Sequence, residues 1–312
     1  MRNESIIDEV FSEGGCLNAV IPDYRKRSDQ VEMSRAVNLA IQEKNSLIVE
    51  AGTGVGKTFS YLVPALLNGG KVLISTATKN LQDQLFLKDI PRIRDALKIP
   101  IKINILKGRS NYICQLRMEN SLMEGQFFNQ EDSTFIKKIK IFSDHSSTGE
   151  VSEINDIPEN STVWPFVTST KENCLGQNCE FAKSCFLIKA RKEALLAEVL
   201  IVNHHLFFAD FILKDEEISE ILPAADTVIF DEAHQVPDVA TTFFGESFST
   251  IQIINLVQDI QLKSKDISKD LEKLNLLCKD ILMLVSELRN LLDARNDRIS
   301  FNNIPKKNLF SE

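Results

Sequence analysis

Apolar residues fall into short runs and helical stripes that alternate along the chain. From Gln30 onward, Val31, Ala36, Val37, Ala40 and Ile41 recur at helical spacing. Ser46-Leu47-Ile48-Val49-Glu50 is a short apolar run and predicts a buried strand. A glycine-rich turn follows, then an apolar helical run through Tyr61, Leu62, Ala65 and Leu66 that Gly69-Gly70 closes. Val72-Leu73-Ile74-Ser75 predicts a second strand and residues 80–87 the next helix. After Ala190 the same rhythm returns: a helix over 194–198, then strands at Val199-Leu200-Ile201-Val202 and Thr227-Val228-Ile229-Phe230. Strand, loop, helix and strand in this order predict an α/β fold, a parallel sheet covered by helices.

Two stretches break the rhythm. From about Lys107 the periodicity weakens, and residues 124–162 are polar with scattered Ser, Asn, Glu and Asp. This predicts an insertion with its own small fold. Beyond Ser249 the chain carries two helical apolar stripes. One runs through Ile253, Leu256, Val257 and Ile260; the other through Leu274, Leu277, Ile281, Leu284, Val285 and Leu288. Each needs a partner to bury against. The expected division is therefore 1–107 and 190–248 for the sheet domain, 108–189 for the insertion and 249–312 for a helical domain.

Composition narrows the class. Over 312 residues, 43% hydrophobic and 26% charged are ordinary globular values, excluding wholesale disorder, collagen and a simple coiled coil. No apolar run is long enough to cross a bilayer, and the acidic start resembles no export signal. A cytoplasmic protein with no membrane partner is expected. Six cysteines then read as metal ligands or reactive thiols rather than a disulfide framework. A net charge of −8 argues against nonspecific coating of nucleic acid. It leaves room for a local basic channel: Lys71 to Met118 holds ten Lys/Arg against three Asp/Glu.

The glycine-rich turn is Ala51-Gly52-Thr53-Gly54-Val55-Gly56-Lys57-Thr58. Glycines let the backbone wrap an anion, Lys57 supplies a point charge and Thr58 a hydroxyl for magnesium. The strict phosphate-loop pattern has glycine where this chain has Ala51. The partner segment is Asp231-Glu232-Ala233-His234, delivered by an apolar strand to the end where α/β sheets bind ligands. Asp231 would hold magnesium and Glu232 would orient and polarise the attacking water. Together these motifs predict an ATP or GTP site, with Lys57, Asp231 and Glu232 as its catalytic groups.

The phosphate loop with Asp-Glu-Ala-His resembles superfamily 2 helicases. Cys114, Cys174, Cys179 and Cys185, spaced C-x59-C-x4-C-x5-C between the two motifs, narrow the resemblance to iron–sulfur helicases of the XPD type, in the bacterial DinG/YoaA branch. Residues 27–33, 75–85, 107–114 and 202–206 also fit that branch, and the resemblance extends to about Gly245. It implies a RecA-like lobe with an inserted iron–sulfur domain and the start of a helical arch. It further implies ATP and Mg2+ as ligands, a [4Fe–4S] cluster on the four cysteines, and single-stranded or forked DNA as partner. Gln30 and Arg27 match the adenine-reading element, and His234 a residue coupling the ATP site to DNA. Thr76, Thr78 and Gln82 match the first strand-contacting motif. Asn203, His204 and His205 read equally as DNA-facing or as structural hydrogen-bonding groups.

Structural zinc sites usually use two close cysteine pairs; here three cysteines are grouped and one is distant, which suits a cubane, with zinc or free thiols as alternatives. Cys16 and Cys278 fall outside the pattern. In the family the cluster domain is a wedge that parts the duplex; Lys107, Arg109, Lys183 and Arg191 are candidates to line the strand's path. Tyr112, Phe181 and Phe186 are candidate stacking groups, with burial against the cluster the stronger expectation, and Trp164-Pro165-Phe166 reads as core. Helicases of this type carry a second RecA-like lobe whose arginines stabilise the transferring phosphoryl group; no such motifs follow Asp-Glu-Ala-His here. The expectation is an ATP-dependent 5′-to-3′ DNA helicase in repair or replication, present as its N-terminal half, slow or inactive alone, with a separate chain supplying the second lobe as a candidate partner. The alternatives are a non-catalytic iron–sulfur module that binds nucleotide and single-stranded DNA, and a metal-dependent nuclease or redox sensor.

Overall fold

The computed structural model describes residues 2–21, 24–52, 54–125, 130–215, 221–244, 249–263 and 271–291. The chain forms two compact units, residues 1–243 and 244–312.

In the first unit, α1 (Arg2–Val10), α2 (Cys16–Val20) and α3 (Ser28–Glu43) lead to the phosphate loop and α4 (Lys57–Asn68). Then follow β1 (Val72–Thr76), α5 (Lys79–Gln84), a π-turn at Leu85–Asp89, α6 (Ile90–Leu97) and β2 (Ile103–Ile105). The Thr78 hydroxyl caps α5 by accepting from Leu81 N–H. The stretch after β2 forms α7 (Gln115–Glu124), α8 (Gln130–His145), α9 (Trp164–Val167) and α10 (Phe186–Leu195). The chain returns through β3 (Val199–Asn203), α11 (His204–Asp215), β4 (Thr227–Phe230) and α12 (Val236–Phe244).

The four strands are parallel, in the order β2-β3-β1-β4, with Val72 beside both Val199 and Thr227. Strands covered on both faces read as near-continuous apolar runs, as Val72–Ile74 and Val199–Val202 do. Alternate residues serve opposite faces. Ile74 and Ile201 join Leu62, Val63, Ile90 and Ile93 on one side; Leu73, Leu200 and Val202 join Leu106, Leu206 and Leu222 on the other. Each such buried aliphatic side chain contributes about 1.5–3 kcal/mol.

Two expectations change here. Residues 45–50 are irregular, and Ile48 is 97% exposed. Apolar character alone cannot make a strand; it needs a neighbour for its backbone hydrogen bonds, and among the described residues none pairs with this segment. Conversely, β2 was not signalled: it is three residues long, and its alternation is too short to register.

The inserted stretch has its own core of Tyr112, Ile113, Met118, Ile136, Ile139, Val163, Val167 and Phe186. The polar run that hid periodicity contains the sixteen-residue α8, which buries Ile136 and Ile139. Gly149 lies at φ 63° against the Phe186 ring, and a Cβ there would collide with it. The Trp164-Pro165-Phe166 segment lies in α9, with Trp164 and Phe166 packed on this core.

The second unit contains α13 (Thr250–Lys263) and α14 (Leu271–Leu291), packed on each other. Val257, Cys278 and Val285 are buried, whereas Leu277, Ile281 and Leu284 are exposed. No helix among the described residues is long and apolar enough to cross a membrane.

Candidate nucleotide-binding site

The phosphate loop enters α4 with its glycines in the left-handed region, Gly54 at φ 82° and Gly56 at φ 92°. Only glycine takes such angles without strain. At Gly56 a side chain would also strike the Gln30 amide, which donates from Nε2 to the Gly56 carbonyl at 3.1 Å. Gln30 is buried and braces the loop from α3. Arg27 sits exposed at the start of α3. Thr53 lies outside the described residues. Gly52 and Gly54 are exposed; Ala51, Val55, Gly56, Lys57 and Thr58 are half-buried.

Lys57 opens α4, where the helix N-terminus adds its own attraction for anions. Its Nζ lies 4.0 Å from Glu232 Oε1. The Thr76 hydroxyl donates to Asp231 Oδ2 at 3.1 Å, and Asp231 N–H donates to the Ser75 carbonyl at 2.8 Å. The strand-end pair is thus tied to β1 through backbone and side chain. Burial raises the Asp231 carboxyl above its ordinary value; the Thr76 hydrogen bond opposes that shift, the neighbouring Glu232 charge adds to it, and Lys57 opposes it. A half-buried carboxylate held this way, with the Thr58 hydroxyl on the adjoining helix, offers the hard oxygen donors that magnesium takes. Glu232 occupies the left-handed region at φ 54°, and its Oε2 lies 3.4 Å from His234 Nδ1. His234 is otherwise open to solvent.

The residues matched to strand contact divide. Thr78 is exposed, but Thr76 and Gln82 are fully buried. Thr76 faces Asp231, and Gln82 Nε2 donates to the Leu106 carbonyl. These two side chains therefore serve the protein interior rather than an external strand. The Asn-His-His segment divides as well. Asn203 Oδ1 accepts from Leu206 N–H, capping α11. His204 is fully buried, and His205 is exposed with its ring 5.9 Å from Phe243.

Lys107 is another correction. It was a candidate for a DNA path, yet its side chain is 5% exposed and pairs with Glu150 at 2.7 Å and Asp83 at 2.9 Å. Burial pulls its pKa down, but the Glu150 and Asp83 hydrogen bonds outweigh burial and raise it overall. Arg109 Nη1 donates to the Thr170 carbonyl. Arg191 is half-buried and Lys183 exposed. Tyr112 and Phe186 are core residues, and Phe181 is half-buried.

Cys114 precedes α7, Cys185 precedes α10, and Cys174 and Cys179 flank a short 3-10 turn. All four are half-buried free thiols. Burial raises the Cys114 thiol, and Cys185, Cys174 and Cys179 all lie near enough to raise it further. Among the described residues, no three His, Cys, Asp or Glu side chains stand in metal-holding geometry. The donor set nonetheless fits a thiolate-ligated cluster. Arg191, whose buried Nε has no partner, lies within electrostatic reach of Cys174 and Cys185, where it would balance thiolate charge. Cys16, in α2, packs on the first core cluster; Cys278 is buried in α14.

The DEAD/DEAH box helicase family pattern matches residues 32–120. The chain is 42% identical over 292 residues to the ATP-dependent DNA helicase YoaA of Haemophilus influenzae, covering 94% of this chain and 46% of that protein. It is 43% identical to YoaA of Escherichia coli, covering 87% of this chain and 43% of the relative. The ATP-dependent helicase DinG of Mycobacterium tuberculosis is 32% identical over 70% of this chain and 35% of its own length. The chain belongs to the DinG/YoaA helicase family. It spans about half the length of the YoaA relatives it matches.

Sequence reasoning about this family segment missed three features: the Gln30–Gly56 brace, the Lys107 ion cluster and the Ser75–His204 pair. The last left one signal, a polar Ser75 inside a mostly apolar strand that must be covered on both faces.

Proposed function

We propose that residues 1–243 form the RecA-like nucleotide-binding lobe of an ATP-dependent DNA helicase, with an iron–sulfur domain inserted after β2. The observation that carries this reading is the convergence of Lys57, Asp231, Glu232 and Thr76 at the ends of β1 and β4. Lys57 and the α4 N-terminus attract the nucleotide's phosphates, the loop wrapping them with Ala51, Gly52, Thr53, Gly54, Val55 and Gly56. Asp231 and Thr58 hold the magnesium ion, which when bound neutralises charge on the phosphate oxygens. Glu232 orients the attacking water. Arg27 borders the adenine, while Gln30, matched to the same role, is buried and braces the loop through Gly56 instead; His234 links the site to DNA. Homologues named as ATP-dependent DNA helicases support DNA as the partner. Single-stranded or forked DNA as its form and 5′-to-3′ as the polarity are what the family resemblance implies.

Cys114, Cys174, Cys179 and Cys185, at the starts of α7 and α10 and about the short turn before α10, would hold a [4Fe–4S] cluster.

The test is ATP binding and hydrolysis by the anaerobically purified chain, with and without single-stranded DNA, against Lys57→Ala. Lysine-dependent binding with DNA-stimulated hydrolysis supports the enzyme. Lysine-dependent binding without hydrolysis favours the non-catalytic module, whose basis here is that, among the described residues, Lys57 and no arginine pairs with the carboxylates, where phosphoryl transfer also needs arginine. Absence of ATP binding overturns both.

A further inference from the structure

His204 is fully buried beneath the nucleotide site. Its Nδ1 lies 2.7 Å from the Ser75 hydroxyl, while its Nε2 is sealed from solvent without a partner. The ring centroid lies 6.1 Å from that of Phe230, the residue before Asp231, and the backbone of Asp231 and Glu232 is within electrostatic reach of the ring. Burial favours the ring's neutral form. A neutral imidazole presents one acceptor and one N–H donor. With Nδ1 accepting from Ser75, Nε2 carries the proton and needs an acceptor, and the backbone of the Asp231–Glu232 turn is the polar group at hand.

That turn needs support. Glu232 takes a left-handed conformation that a residue with a side chain keeps only where its surroundings enforce it. Ser75 already holds Asp231 from the β1 side through the 2.8 Å backbone hydrogen bond. His204, anchored on the same Ser75, closes the arrangement from α11. Asn203 sets the start of that helix by capping it.

We propose that His204 is a positioning residue for the magnesium–nucleotide site: anchored on Ser75 through Nδ1, its Nε2 edge props the Asp231–Glu232 turn and fixes the Asp231 carboxylate relative to Lys57. This rests on the nucleotide reading above. It assigns His204 an inward role, distinct from DNA contact.

Two amide replacements separate the ring's edges. His204→Asn reproduces the near edge and keeps the Ser75 contact; His204→Gln places its amide at the distal edge. ATP affinity of the full chain is measured with and without magnesium, alongside the melting temperature. In His204→Asn the affinity gain brought by magnesium falls about 10–100-fold, the usual effect of losing an orienting partner behind a metal ligand. Its magnesium-free ATP affinity and melting temperature stay near the parent's, and His204→Gln keeps most of the gain. The proposal is overturned if both variants keep the full magnesium gain. It is equally overturned if both lose magnesium-free and magnesium-dependent affinity in parallel with the melting temperature, which marks a packing group only. A parent chain that binds no ATP under either condition sinks the nucleotide reading itself, a result visible before any variant is made.

Discussion

At the scale of single residues, the site combines strain with burial. Glu232 keeps a left-handed backbone that costs a residue with a side chain about 1–2 kcal/mol. Glu232→Gly relieves that strain but lengthens the list of conformations lost on folding, so the net gain is about 1 kcal/mol or less. The expected outcome is a slightly higher melting temperature with hydrolysis abolished; a lower melting temperature would show that the Glu232 side chain supports the fold. Asp231 gives a pH dependence. Its folded pKa lies above its unfolded value, so its protonated form favours the folded state at low pH, and that contribution is lost as pH rises through the raised value. Above that pH a buried, ionised carboxylate waits for a cation. Magnesium should therefore raise the melting temperature more at neutral pH than in acid, and Asp231→Asn should remove the difference.

Among elements, the junction between the sheet and its insertion rests on Lys107. Asp83 reaches it from α5 and Glu150 from the insertion, while Tyr112 Oη accepts from the Lys107 backbone N–H. Removing one member of a buried ion pair costs about 3–5 kcal/mol because the other is left uncompensated. Asp83 is 38% exposed, so Lys107→Ala should fall at about 3 kcal/mol, read by urea unfolding. Lys107→Met, which keeps the stem's packing, should cost less. The raised lysine pKa adds a sign: the cluster stabilises fully below the ordinary lysine value and loses that contribution as pH rises through the raised one. A parent-to-Lys107→Met stability gap that stays constant into alkali would refute this account of the junction.

Across the molecule, the insertion has its own apolar core, but its cysteine-bearing turns hold few such residues. If the cluster ties them together, anaerobic iron loading should protect residues near 174–185 from proteolysis and raise the melting temperature. Cys114→Ser, Cys174→Ser, Cys179→Ser and Cys185→Ser should each lose iron, whereas Cys16→Ser should not. Retention of full iron content in any of the four would remove that thiol from the ligand set.

How much was legible in the sequence depended on whether its signal was local. The phosphate loop and the strand before Asp231 were readable because glycine placement and apolar runs carry their meaning within a few residues. The strands at Val72 and Val199 were readable for the same reason: a strand covered on both faces must be apolar throughout. Residues 46–50 share that apolar pattern and form no strand, because pairing is decided by a neighbour and not by the run itself. Thr76, Gln82, Lys107 and His204 were legible as polar residues, but not as inward-facing ones. Their partners Asp231, Leu106, Glu150 and Ser75 lie from 24 to 155 positions away, and no local pattern encodes such a distance. The sequence by itself thus determined the fold class, the phosphate loop and the family. The tertiary structure decided which polar groups stay within the protein, because only folding sets a buried donor against the acceptor it requires.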